Sequence, residues 1–252
     1  MNLRRSRRRS PEAEEKVEAK IMKLEMTLRP RPSPEEKAEA KRIAEYRANN
    51  PFIEFKGKIT YHTELIDIAL VSDNLLERAK VVSDLLIIGF DMEWPFNFQT
   101  GPGKTATIQI SYDEEHCYIF HVSKIRNLPS SLSQLLIHPN VRLTGNCIKR
   151  DVRKLARDFA GFDGDKMVDN CVDLGLFANR VLSIRDRWSL ERLVEHFLDL
   201  QISKDKKVRH SRWHIIPLSK EQQLYAATDS YASLLLYNVL KSRENDLKAL
   251  EN

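Results

Sequence analysis

Residues 85–95 read Leu-Leu-Ile-Ile-Gly-Phe-Asp-Met-Glu-Trp-Pro, and no other stretch restricts the fold as much. Five of the first six residues are apolar, the pattern of a central strand buried on both faces. Side chains alternate along a strand, so Asp91 and Glu93 project to the same side from its end. Buried carboxylates are costly unless paired or bound to a metal, and ordinary core packing does not ask for this pair. A strand end emerging into solvent accounts for these eleven residues equally well. The rest of the chain has to decide.

Around this strand the other patterns arrange themselves as a mixed α/β sheet. Residues 105–112 and 116–123 alternate as strands joined by a hairpin at Asp113-Glu114-Glu115, and residues 58–62 and 142–146 read as shorter strands. Helices are expected over 73–84 from a Ser72/Asp73 cap, then over 131–137, 149–159, 171–181 and 189–198, the last with Ser189 as N-cap. Residues 201–217 are polar and basic and read as loop. Ser219 and Gln222 form a capping box that opens a long helix to about Asn245. Adjacent antiparallel strands followed by a strand alternating with helices argue against an all-parallel doubly wound sheet.

The globular part is expected to begin near Asn50, giving a charged extension over 1–50 and a domain over 51–252. Residues 1–50 carry 14 Lys and Arg against 9 Asp and Glu, whereas the remainder carries 27 of each, so the net charge of +5 belongs to the extension. Arg4, Arg5, Arg7, Arg8 and Arg9 read as a nuclear-localisation or nucleic-acid-contacting arm, and equally as a solvated terminus. Residues 11–50, rich in Glu, Lys, Ala and Pro, read as disordered or transiently helical. Cys117, Cys147 and Cys171 lack CxxC spacing, which indicates neither a zinc site nor a disulfide framework. With no signal peptide and no apolar run near the roughly 18 residues of a membrane span, a soluble protein in a reducing compartment is expected.

Gly101-Pro102-Gly103-Lys104-Thr105 imitates a phosphate-binding loop, but Phe98 stands where that motif needs glycine. Its Lys-Thr pair leads into a strand, not a helix, so a hairpin turn is expected. Asp151 falls in the first turn of helix 149–159, where the helix dipole favours a carboxylate, and capping alone would explain it. Tyr225 and Asp229, four apart, share a face of the long helix, and the small Ala226 and Ala227 between them let it approach the sheet. Singly, each feature has a structural explanation. Jointly, those explanations are poor.

Phe90-Asp91-Met92-Glu93-Trp94-Pro95, Gly103-Lys104-Thr105 before Ile108-Gln109, Asp151 in a post-strand helix, and Tyr225 through Asp229 resemble the three motifs of the DEDDy group of DnaQ-like 3′–5′ exonucleases. Trp188-Ser189-Leu190, Lys204-Asp205-Lys206, Trp213 and Leu224 through Asp229 resemble the Werner-type exonuclease domains within that group. The similarity spans roughly residues 85–240. It implies a ribonuclease H-like mixed sheet, three antiparallel strands plus parallel ones, flanked by helices. Asp91, Glu93, Asp151 and Asp229 would hold two Mg²⁺ or Mn²⁺ ions, hard cations suited to oxygen ligands. By the same resemblance Asp91 bridges both ions, Glu93 and Asp229 hold the one near the nucleophile, and Asp151 holds the second. Tyr225 orients the attacking water, and Leu224 stands where the DEDDh group has His.

The implied activity is a nuclear 3′–5′ exodeoxyribonuclease of genome maintenance, releasing nucleoside 5′-monophosphates from DNA with a free 3′ end. A ribonuclease D-type exoribonuclease is the alternative, and a catalytically silent nucleic-acid-binding module a third, although all four carboxylates and the tyrosine are present. No Walker motif occurs, so a RecQ-type helicase, if one takes part, is expected on a separate polypeptide. Met92 and Trp94 are candidates to pack on the terminal nucleotide, or are core. Lys206, Lys207 and Arg209, with Lys204 and Arg212, are candidates to follow a phosphate backbone, with Trp213 as a stacking surface; a solvated loop is the plain alternative. Arg150, Arg153 and Lys154 beside Asp151 are further candidates for phosphate contact.

Overall fold

A computed structural model of the chain describes residues 49–250 and a few positions between 33 and 45. Residues 1–46 and 47–252 form separate units, and the fold is that of the second. The arginine cluster and most of the extension lie outside the described residues.

The strands are β1 (Lys58–His62), β2 (Leu86–Glu93), β3 (Phe96–Asn97), β4 (Gly101–Pro102), β5 (Thr107–Ser111), β6 (His116–His121), β7 (Val141–Gly145) and β8 (Cys171–Asp173). Six of them form one sheet in the order β1-β6-β5-β2-β7-β8, and β3 and β4 form a separate ribbon. β6, β5 and β2 pair antiparallel in turn, while β1 joins β6, and β7 and β8 follow β2, in parallel. This is the mixed sheet that the sequence led us to expect.

The helices are α1 (Leu65–Val81), α2 (Ser130–Leu136), α3 (Ile148–Asp158), α4 (Gly164–Asp169), α5 (Leu174–Leu182), α6 (Leu190–Leu198), α7 (Lys206–Arg209) and α8 (Lys220–Leu250). The period-two alternation of β2 sorts them between two faces. Leu86, Ile88, Phe90 and Met92 enter a core shared with apolar residues of α1, α2, α3 and α4. Gly89 faces the opposite way, against α8: a Cβ built there would lie 2.1 Å from the carbonyl oxygen of Ser230. Glycine at 89 therefore sets how closely α8 lies on the sheet, and Asp91 follows on the same face. Buried hydroxyls hold the contact, Ser111 Oγ to Ser230 Oγ at 2.9 Å and Thr144 donating to the Ser233 carbonyl at 3.2 Å.

Three sequence expectations are corrected and one further element is new. Ser72 does not cap a helix; it lies inside α1, buried, with its hydroxyl donating to the Ile68 carbonyl at 2.7 Å. Residues 171–173 are not the first turn of a helix but strand β8, paired with β7, after which Asp173 caps α5 by accepting from the Leu176 N–H at 3.1 Å. Helix α4, capped by Asp163, was not anticipated. The stretch read as loop over 201–217 contains α7. The Ser219/Gln222 box forms as expected: Gln222 N–H donates to Ser219 Oγ at 3.2 Å and Ser219 N–H to Gln222 Oε1 at 2.9 Å.

Candidate active site

The C-terminal end of β2 opens into a cleft of about 610 Å³ lined by Asp91, Glu93, Asp151, Tyr225 and Asp229 among others. Three elements converge there. β2 delivers Asp91 and Glu93, opposite Gln109 and Thr107 of β5. α8 brings Tyr225 and Asp229, one turn apart, across the buried Ala226 and Ala227. α3 brings Asp151 in its first turn. The turn before α3 is tight: Cys147 takes a left-handed φ of 59°, and a Cβ at Gly145 would lie 2.9 Å from the Phe90 carbonyl.

Carboxylate oxygens of Asp91, Glu93 and Asp229 lie within 4.8 Å of one another. Asp151 stands outside that trio but is close enough for the Asp91 charge to perturb it. Each of the four keeps part of its surface on the cleft while sitting deep among protein atoms. Burial pushes Asp91 from its ordinary 3.8 up to about 7, against the lowering effects of the Met92 backbone N–H and the Arg209 charge. Burial, with the Asp91 charge second, takes Asp151 up to about 8. Glu93 is raised well above its ordinary value by burial and then by Asp91 and Asp229. Asp229 is raised by burial and Asp91, and a hydrogen bond from Tyr225 offsets part of this. Burial and the neighbouring carboxylates also push the Tyr225 hydroxyl up, so it keeps its proton at neutral pH. Like charges gathered in a desolvated place strain the ionised form, and a divalent cation relieves that strain.

The substrate contacts expected from sequence divide. Trp94 and Arg209 line the cleft, and the Arg209 charge acts on Asp91, Glu93 and Asp229. Met92 borders the cleft but its side chain belongs to the core. Arg150 is exposed beside Asp151 and lowers its pKa. Lys206 and Lys207 are exposed on α7 and do not line the cleft.

Two residues are corrected. Trp213 is no stacking surface: it is fully buried, its indole N–H donates to the Arg209 carbonyl at 3.0 Å, and its ring packs 6.1 Å from that of Tyr225. Lys154 is not free for phosphate; its ammonium donates to the Gly103 carbonyl at 2.6 Å and to Asp158 at 2.8 Å. Lys204, a candidate from sequence, lines the cleft but is paired with Glu191; sequence reasoning did not select Glu191 or Asn146, which also line it, Asn146 donating to the Trp188 carbonyl at 3.2 Å.

A family model described as 3′–5′ exonuclease matches residues 66–244. A curated 3′–5′ exonuclease of Drosophila melanogaster is 48% identical over 195 residues, covering 77% of this chain and 55% of that protein. The Drosophila ananassae counterpart is 46% identical over 202 residues, covering 80% and 57%. The chain thus spans somewhat more than half the length of the curated relatives it matches. Among solved structures, the Aedes aegypti Nibbler EXO domain superposes with a TM-score of 0.63 at 17% identity, covering 77% of this chain and 94% of that one. The catalytic core of RRP6 from Trypanosoma brucei gives 0.61 at 22% identity, covering 83% and 56%. Escherichia coli RNase D, described as an exoribonuclease involved in structured RNA processing, gives 0.58 at 19%, covering 74% and 46%. These three likenesses establish the shared fold.

Proposed function

This chain belongs to the 3′–5′ exonuclease family, and from that premise we propose that it is a metal-dependent hydrolase removing nucleotides singly from the 3′ end of DNA. The observation that carries the reading is the trio of carboxylates, Asp91, Glu93 and Asp229, within 4.8 Å of one another and all raised in pKa by burial. Such a set fits hard divalent cations, Mg²⁺ or Mn²⁺. Asp91, Glu93 and Asp229, with Asp151 of the same cleft, would hold two of them. When bound, the pair supplies an activated water and stabilises the attacking and leaving oxygens of the phosphodiester.

The chain's own groups do the rest. A water adds to the phosphorus of the terminal phosphodiester, and the bond to the preceding nucleotide's O3′ breaks. The products are a nucleoside 5′-monophosphate and a strand one nucleotide shorter, ending in a 3′-hydroxyl. Tyr225, held protonated beside Asp229, positions that water and does not act as its base. Arg209 at the cleft wall faces the phosphate charge. Trp94 borders the space for the terminal nucleotide. The tyrosine one turn before the last carboxylate supports the DEDDy assignment, and the 188–190 and 224–229 stretches support a Werner-type relationship. On that relationship rest a nuclear location, a genome-maintenance role and a RecQ-type helicase as partner.

The test is direct. Purified protein is given 5′-labelled DNA and RNA strands of matched sequence, in Mg²⁺, Mn²⁺ or EDTA. Stepwise shortening of DNA from the 3′ end, lost in EDTA, is expected; Asp91→Ala and Glu93→Ala should each lower it on the order of 10²-fold or more. Faster shortening of RNA would move the substrate class to a ribonuclease D type. No shortening of either strand would overturn the reading.

A further inference from the structure

Trp94 and Pro95 lead from the carboxylate strand straight into the β3/β4 ribbon, which the mechanism above does not use. Its turn is fixed. Asn97 Oδ1 accepts from the Gln99 N–H at 2.7 Å and the Thr100 N–H at 3.4 Å. Gly101 takes a φ of 79°, open to glycine and rarely to other residues. Asn97 pairs with Gly101, and Phe96 with Pro102. The base of the ribbon is bound to the site from two directions. Gly103 N–H donates to the Pro95 carbonyl and Ala106 N–H to the Glu93 carbonyl, both at 2.8 Å. Thr105 gives its N–H and its hydroxyl to Asp158 of α3, each at 2.7 Å. The ribbon therefore keeps a set position relative to Glu93 on one side and to the helix of Asp151 on the other.

At the tip Phe98 is 91% exposed, the highest value of any large apolar side chain among the described residues. Its ring stands edge-on to Phe96 at 5.4 Å and 88°, and Phe96, itself 47% exposed, lines the catalytic cleft. Packing does not explain an aromatic ring held in water on a braced turn, since Phe98 buries almost nothing. Residues 94–102 carry no Lys or Arg, so the ribbon has no charge to offer a phosphate. What it offers are two aromatic faces continuous with the cleft wall. Stacking suits any nucleobase, because every base has a π-face.

Resting on the exonuclease reading, we infer that the ribbon is a base-stacking platform on which Phe98, backed by Phe96, takes the unpaired base of a nucleotide two or more positions upstream of the one removed. Recognition is then tolerant of sequence, and it requires a 3′ end that is single-stranded or frayed for several nucleotides.

The experiment measures kcat and KM in Mg²⁺ for a dinucleotide, an eight-nucleotide single strand and a blunt duplex, with the parent chain, Phe98→Ala and Phe98→Trp. Phe98→Ala should raise KM about tenfold on the single strand, within the range of one stacked base, with kcat preserved. It should leave the dinucleotide, whose single upstream base adjoins the bond that breaks, as in the parent. Phe98→Trp should restore the parent KM. An unaltered KM on the single strand, or the same change on the dinucleotide, would refute the platform. An effect on blunt duplex as large as on single strand would refute the unpaired base. Dinucleotide hydrolysis by the parent reports on the exonuclease reading separately: if it persists while Phe98 is silent, only the platform falls, and if the parent cleaves none of the three, both fall.

Discussion

Replacing Asp91 by Asn should make the metal-free protein more stable at pH 8 while removing its nuclease activity. The carboxyl stands at about 7 in the fold against an ordinary 3.8. At 1.36 kcal/mol per pKa unit, the ionised group costs the native state about 4 kcal/mol once the pH exceeds both values. An amide in the same place still loses hydration, so a net gain of about 2–3 kcal/mol is expected. The sign follows from where the proton binds more tightly, which is in the fold. The group's favourable contribution is complete below 3.8 and is lost as the pH rises through about 7. In EDTA the parent should therefore lose stability between about pH 4 and pH 8, and Asp91→Asn should show a flatter profile. Urea denaturation followed by tryptophan fluorescence measures both. Mg²⁺ should then stabilise the parent by binding its native state, and the variant far less. A variant less stable than the parent in EDTA at pH 8, or stabilised equally by Mg²⁺, would refute the account of the site as a repulsive cage completed by cations.

Tyr225→Phe keeps the ring against Trp213 and removes only the hydroxyl beside Asp229, so single-turnover cleavage should slow about tenfold or more with KM close to the parent; an unchanged rate would take Tyr225 off the list of catalytic residues. Gly89→Ala places a methyl 2.1 Å from the Ser230 carbonyl, so α8 must shift; thermal denaturation should register about 1–3 kcal/mol of overpacking, and Mg²⁺ titration a weakened site because Asp229 moves with the helix. Both responses unaltered would show the approach of helix and sheet to be loose. Removing residues 1–48 keeps the Asn50 and Pro51 carbonyls, which accept from the Gln201 side chain at 2.7 Å and its backbone N–H at 2.9 Å. The shortened protein should fold and cleave, bind DNA more weakly and show a shallower salt dependence, having lost the net positive charge. Failure to fold would place the domain boundary earlier.

What could be read in the sequence was whatever depends on local period or chemistry. Asp91 and Glu93 were legible because strand alternation fixes their common side, Tyr225 and Asp229 because helix spacing does, and the Ser219/Gln222 box because capping is a four-residue interaction. β8 was not legible. Its three residues carry no periodic signal, and their strand character comes from pairing with β7. Ser72 misled because a hydroxyl that caps a helix in one setting can bond back to a carbonyl inside a helix in another. Trp213 misled for a related reason. It lies in a basic, polar stretch, and nothing nearby in sequence announces Phe55, Ala106 and Ile119, the distant residues of the core it joins.

The four carboxylates come from a strand, a mid-chain helix and a late helix, and the first and last of them stand more than half the chain apart. A nascent or truncated chain ending before α8 has Asp91, Glu93 and Asp151 but neither Asp229 nor the surface that sets their spacing. The contacts that close the site thus join residues far apart in sequence, the kind whose loop-closure entropy must be met before they stabilise anything. Catalytic competence therefore waits on α8: a chain without that helix lacks Asp229, and the trio of carboxylates is incomplete.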